Sequence, residues 1–250
     1  MNNRDYVAAL EKGLAVVEAF DAASIRLTLS AVARKTGLTR AAARRYLLTL
    51  VTLGYAETDG KHFELTPRVL RLGYAYLSGA TLPRIAQPIL EQIGEQIHDV
   101  ASLALLDGQD ILFLAHSTNR RILSAAASVG TRFPAYCTAM GRALLACQQD
   151  AEIEKFLREV RPLKLTPKTC IGIRELREKV MQARSDGFAI SDGELEVGMQ
   201  AIAVPVKGVR GTAYLAISVS MHTGRLTADE LIELVLPPLQ TGANVLATML

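Results

Sequence analysis

Two glycines, Gly37 and Gly54, mark out the segment that most restricts how this chain can fold. Glycine enters the left-handed conformation that ends a helix at no steric cost, so each is read as a helix stop. Ahead of Gly37, Thr28 or Ser30 can cap a short helix over Leu29–Thr36, with Leu29, Val32 and Ala33 inward. After it, Thr39 caps a longer helix running to about Leu53, with Ala43, Leu47, Leu50 and Val51 inward. The layout is helix, glycine turn, helix.

The flanks extend this frame. From residue 6 to residue 20, Val7, Leu10, Leu14, Val17 and either Ala8 or Phe20 recur at three- and four-residue steps, which predicts a first helix ending near Asp21. Beyond Gly54, "YAETDGKHFELTP" reads as two short strands about Asp59-Gly60, a pair that tolerates the positive φ angles of a tight hairpin, and so as a wing. Pro67 ends the hairpin, and "VLRLGYAYLSG" at 69 to 79 has the period of a short connecting helix. The expected organisation is a winged helix-turn-helix over residues 1–67, a linker helix over 68–80 and a second domain over 81–250.

Charge gives the first unit a purpose. Between Asp21 and Glu57 lie Arg26, Arg34, Lys35, Arg40, Arg44 and Arg45 without one acid. A merely solvated helix face mixes signs, whereas a one-sign block is the footprint of a surface that meets polyanion. Arg40 and Arg44 are four apart, as are Ala41 and Arg45, so the members of each pair share a side of the helix. Alanines between the arginines keep that face slim enough for a major groove about 12 Å wide. Thr39, Arg40, Arg44 and Arg45 are therefore expected to contact double-stranded DNA, with Arg34, Lys35 and Lys61 as further contacts.

The rest of the chain reads as an amphipathic helix ("IAQPILEQIGEQIH"), two strands about Asp107-Gly108, a third strand ("RRILSAAASVG") and a helix begun by Thr138 in "CTAMGRALLAC". A helix over about 151 to 160 follows, then one ended by Gly187, strands in "FAISDGELEVGMQAIAVPV" and "GTAYLAISVSM", and a long helix over 227 to 250. Strands flanked by runs of helices define a mixed, mainly antiparallel α+β domain.

Several classes are excluded. The longest apolar runs fall short of the roughly 18–20 residues that cross a bilayer, and charges at Asp5, Glu11 and Lys12 interrupt any signal-peptide core. A cytoplasmic location is expected. Cys137, Cys147 and Cys170 show no CxxC spacing, and His62, His98, His116 and His222 form no HxxxH pattern, so no metal site and no cofactor are expected.

A sensing site can nonetheless be assembled. The Thr138 helix begins in small residues whose N–H groups would attract a carboxylate. Asp192 in "SDGE" can accept from a ligand hydroxyl, and Ser218 and Ser220, two apart on one strand, share a face. A small organic acid suits such a site. Two other readings compete with it. One is an enzyme with Cys137 as nucleophile beside that helix terminus and His116 as base, though no GxSxG or HGGG motif supports it. The other is a ligand-free interaction module using the helix at 69 to 79 and the C-terminal helix.

The stretches "LEKGLAVVEAF", "LTLSAVARKTGLTRAAARRYLLTLVTLGYAE" and "FELTPRVLRLGYAYL" resemble the winged-helix half of the IclR family of bacterial transcription regulators, and "GTRFPAYCTAMGRALLA" with "SDGELEVGMQAIAVPV" resembles its two effector-domain signatures. The resemblance implies a GAF-like effector domain, a palindromic operator bound by a homodimer or dimer of dimers, and Arg45 as the characteristic recognition-helix arginine. It places Ala139, Met140, Asp192, Met199, Ala201, Ser218 and Ser220 around the effector, with Thr138 starting the helix beside it. The segment "HSTNRRILSAAASVGTRFPAYCTAMGRALLA" is similar to regulators of aromatic-acid catabolism in the protocatechuate and β-ketoadipate branch. By that likeness the effector is an aromatic or keto acid, Arg120 or Arg121 pairs with its carboxylate, and Asp192 accepts a phenolic or enol proton.

Overall fold

The computed structural model describes residues 6–21, 24–73, 81–118, 128–208 and 213–250, and the chain divides into two compact units, 1–79 and 80–250. The second half of the expected linker helix, most of the "RRILSAAASVG" strand, and with it Arg120 and Arg121, lie outside the described residues.

The first unit contains α1 (Ala8–Glu18), β1 (Arg26–Thr28), α2 (Leu29–Thr36), α3 (Arg40–Thr52), β2 (Ala56–Thr58) and β3 (His62–Leu65). Of the two candidate caps, Thr28 starts α2: its hydroxyl accepts the Ala31 N–H at 3.3 Å. Gly37 ends that helix at φ 69°, and Thr39 accepts the Ala42 N–H at 3.2 Å to start α3. Val16, Ala19, Val32, Ala33, Ala43, Leu47 and Phe63 form the core, with Leu50 and Val51 packed partly against it.

The face of α1 differs from its sequence pattern. Val7, Leu10 and Leu14 are exposed, and Val16 is the residue sealed from solvent. At 3.6 residues per turn, Val16 lies half a turn round from Val7, so the helix docks by the side opposite the apolar stripe. Periodicity identified a helix and not its partner. The wing also holds a third strand, with sheet order β1-β3-β2, all antiparallel. In its turn only Gly60 has positive φ, while the Asp59 carboxylate accepts the N–H groups of Lys61 (2.8 Å) and His62 (2.7 Å).

The second unit comprises α4 (Thr81–Ile97), β4 (Val100–Asp107), β5 (Asp110–His116), β6 (Arg132–Pro134), a 3₁₀ turn (Ala135–Cys137), α5 (Ala139–Ala146), α6 (Asp150–Glu159), α7 (Ile173–Asp186), β7 (Ala189–Asp192), β8 (Met199–Lys207) and β9 (Ala213–His222). It closes with α8 (Ala228–Glu230), which passes through a π turn (Leu231–Val235) into α9 (Leu236–Thr248). The six strands form one antiparallel sheet, order β6-β5-β4-β9-β8-β7.

Strand alternation feeds two cores. Ile217, Val219 and Met221 of β9 pack toward α4 and α9 on one face, and Ala216 joins α5, α6 and α7 on the other. Ser218 and Ser220 therefore share the α5 side. Gly141 lets α5 sit hard against the 3₁₀ turn, because a Cβ there would overlap the backbone of Ala135.

Candidate functional site

On the first unit, the basic block resolves into two kinds of residue. Arg26 bonds Asp59 (2.7 Å) and Glu64 (3.0 Å) within the wing. Lys35 donates to Ala19 O (2.9 Å), the Asp21 carboxylate (2.7 Å) and Ser24 Oγ (2.9 Å), closing the end of α1. Lys35 thus departs from the expectation of a cation open to DNA: one acid, Asp21, with a carbonyl and a hydroxyl of the segment after α1, already engages it. Arg34, Arg40, Arg44 and Arg45 are exposed and form no ion pair among the described residues. Lys61 is exposed at the wing tip. The Thr39 hydroxyl is exposed beside the first turn of α3.

In the second unit, a cavity with about 770 Å³ of atom-free space, partly open to solvent, lies between the sheet and the N-terminus of α5. Its apolar walls are Ile111, Phe113 and Phe133 from β5 and β6, with Met140, Leu195 and Met199 opposite. Phe113 and Phe133 meet edge to face at 5.7 Å and 86°, a favourable arrangement for an aromatic pair, and together they form an aromatic part of the cavity wall. The polar contributions are Ser102, Ser218 and Ser220 from the central strands, Ser191 and Gln200 from β7 and β8, Thr138 at the helix cap and Glu196. A concave site that is mostly apolar with a few converging hydroxyls suits a small organic ligand.

Of the expected ligand residues, Thr138, Ala139, Met140, Met199, Ala201, Ser218 and Ser220 all line this cavity. The Thr138 hydroxyl accepts the Gly141 N–H (3.2 Å) and so caps α5. The N–H groups of Ala139 and Met140 come before the first intrahelical donor of α5, Arg142 N, and carry the positive end of its dipole. Ser218 Oγ is fully buried and has no hydrogen-bond partner among the described residues, a costly state that a bound polar group relieves.

Asp192 departs from expectation. Its carboxylate takes Lys168 Nζ at 2.6 Å and the Thr223 hydroxyl at 3.3 Å, and the neighbouring Ser191 lines the cavity in its place. Adjacent strand residues point to opposite faces, so one position decides which enters the site. Sequence reasoning also passed over Ser102, Phe113, Phe133, Ser191, Leu195 and Gln200. The one signal available was a polar residue inside an apolar strand, as with Ser102 in "VASLALL"; the pairing that brings these strands together leaves no local mark.

Cys137 is sealed from solvent and donates weakly to Pro134 O at 3.6 Å. Burial pushes its thiol up to about 12, outweighing the pull of the Arg142 guanidinium. No thiolate is available near neutral pH, which removes the chemical basis of the nucleophile reading. No cluster of three or more metal-ligating side chains occurs among the described residues, and no helix there is long and apolar enough to cross a membrane.

A winged helix-turn-helix with arginines on α3 that form no ion pair among the described residues, joined in one polypeptide to a domain with a cavity suited to a small ligand, defines a class: DNA-binding regulators controlled by a small molecule. Residues 9–60 match the IclR helix-turn-helix domain, and residues 74–247 match the C-terminal domain of the bacterial transcriptional regulator IclR. The chain belongs to the IclR family of bacterial transcriptional regulators and is not an enzyme.

The Pca regulon regulatory protein of Pseudomonas putida is 41% identical over 247 residues, covering 98% of this chain and 85% of the relative. The p-hydroxybenzoate hydroxylase transcriptional activator of Acinetobacter baylyi is 36% identical over 255 residues, 100% of this chain and 94% of the relative. The crystal structure of an IclR homologue from Microbacterium hydrocarbonoxydans complexed with 4-hydroxybenzoate superposes with a TM-score of 0.75 over 96% of this chain and 98% of that one, at 24% identity, and shares the fold.

Proposed function

We propose that this protein regulates an aromatic-acid catabolic pathway and that its effector is a hydroxylated aromatic acid held in the cavity of the second unit. The observation that carries this reading is the buried, unpartnered Ser218 hydroxyl in a cavity walled by Phe113 and Phe133. In this arrangement the effector carboxylate rests on the Ala139 and Met140 N–H groups, its ring packs against the Phe113 and Phe133 wall, and a ring hydroxyl meets Ser218. The names of the two curated relatives and the 4-hydroxybenzoate complex of the Microbacterium protein favour the same ligand class.

The DNA half of the proposal uses Thr39, Arg40, Arg44 and Arg45 on α3 as the reading surface, with Arg34 and Lys61 on phosphates. A homodimer, or a dimer of dimers, would present paired α3 helices to a palindromic operator. Residues 1–67 then bind DNA, 68–80 connect, and 81–250 bind effector and assemble the oligomer.

Calorimetric titration with 4-hydroxybenzoate and benzoate tests the ligand reading. Saturable binding to the wild-type protein, weakened about fivefold by Ser218→Ala for the hydroxylated acid, is the expected result, since one hydrogen bond contributes roughly 1 kcal/mol. Absence of binding by either acid would overturn it.

A further inference from the structure

Ser102 on β4 and Ser218 on β9 are register partners across the two central strands of the sheet. Both residues are buried and both line the cavity, and the Ser218 hydroxyl has no hydrogen-bond partner among the described residues. Directly opposed residues in an antiparallel pair hold their Cβ atoms about 4.5–5.5 Å apart on one face. Two hydroxyl hydrogen bonds of about 2.8 Å span at most roughly 5.6 Å. One oxygen placed between the two serines therefore reaches both.

Ser220, the other hydroxyl on this face, does not form such a pair. Its partners across the strands are Val100 on one side and Ala201 on the other, and it stands two residues farther along β9, about 7 Å from Ser218. Among the described residues the sheet offers two facing hydroxyls at one level only.

We infer that Ser102 and Ser218 form a two-sided clamp on a single effector hydroxyl, and that Ser102 is a specificity-determining residue of the effector site. A phenolic hydroxyl is both donor and acceptor, so it gives its proton to one serine and receives the proton of the other. An acid lacking that hydroxyl leaves two buried serines unsatisfied, and it is this penalty that makes a hydroxyl-reading site selective. The inference rests on the proposed seating of a hydroxylated aromatic acid in this cavity.

The test is titration of the full-length protein with 3-hydroxybenzoate, 4-hydroxybenzoate and benzoate, for wild type, Ser102→Ala, Ser218→Ala and the double variant, with thermal unfolding as a check on folding. Wild type is expected to bind one hydroxybenzoate at least about tenfold more tightly than benzoate. Each single variant should abolish that preference while leaving benzoate within about twofold, and the double variant should lose little more, because both serines share one oxygen. Ser102→Cys, close in size and a poor hydrogen-bond former, should behave as Ser102→Ala.

A preference that survives Ser102→Ala and disappears in Ser218→Ala overturns the clamp and leaves the ligand reading standing. Equal losses for benzoate and the hydroxybenzoates also overturn it, since Ser102 would then only pack. If wild type binds none of the three acids, the ligand reading falls and the clamp with it.

Discussion

Arg142 and Glu194 face each other in a two-pronged ion pair inside the second unit, Nη1 to Oε1 at 2.6 Å and Nη2 to Oε2 at 2.5 Å, with both side chains almost free of solvent. The same guanidinium donates through Nε to Tyr136 O (3.1 Å), and the same carboxylate accepts the Cys170 N–H (3.2 Å). Three segments are thereby tied at one point: the turn before α5, the loop that carries Leu195 and Glu196 into the cavity wall, and the chain before α7. Glu194→Ala should lower unfolding stability by about 3–5 kcal/mol, because it strands a buried guanidinium. Replacing both partners by methionine should cost much less than that single change, and urea denaturation of the variants measures the difference.

The arginines of α3 give a prediction that separates DNA contact from folding. Arg45→Ala should weaken operator binding by about 1–3 kcal/mol if it reads a base. Arg40→Ala should lower the slope of log K against log salt by about one unit if it meets a phosphate. Lys35→Ala should leave that slope unchanged and instead lower the melting temperature, since its ammonium is spent on Ala19, Asp21 and Ser24. Mobility-shift assays on the gene's own upstream region, repeated at several salt concentrations, check all three.

Cys137 supplies a pH dependence with a definite sign. Its thiol ionises near 9 when exposed and near 12 in the fold, with burial as the main cause. Between those values the unfolded chain binds fewer protons than the folded one, so this group's contribution makes stability fall as pH rises above about 9, with no effect below. In native protein at pH 8, iodoacetamide should label the half-buried Cys147 before the buried Cys137 and Cys170, with peptide mass spectrometry as the readout.

Gly141→Ala tests the close approach that shapes the effector end of α5. The added methyl would meet the backbone of Ala135, which cannot move aside as a flexible side chain could. A loss of about 1–3 kcal/mol or more is expected from such overpacking, together with weaker effector binding, and thermal unfolding with and without ligand separates the two effects.

What could be read without coordinates was whatever is encoded locally. Thr28, Gly37, Thr39 and Gly54 set helix boundaries by their own side chains or backbone freedom, and they stand where their chemistry placed them. Contacts set by distant segments were not legible. Lys35 looked like part of a polyanion-binding block because Asp21 and Ser24 reach it only after α1 folds back. Asp192 and Ser191 differ by one strand position, and only the seating of β7 on β8 decides which enters the cavity. Ser102 and Ser218 are more than a hundred residues apart, and their meeting is a matter of register alone.

The central claim joins the two units: an acid in the cavity must change how α3 binds DNA. Fluorescence anisotropy of labelled upstream DNA, titrated with the protein in the absence and presence of saturating 4-hydroxybenzoate, measures that coupling directly. The account predicts a shift in operator affinity of about 5- to 150-fold, the usual range for linked sites, that Ser218→Ala greatly reduces at the same acid concentration. Identical DNA-binding curves with and without an acid that calorimetry shows to be bound would contradict it.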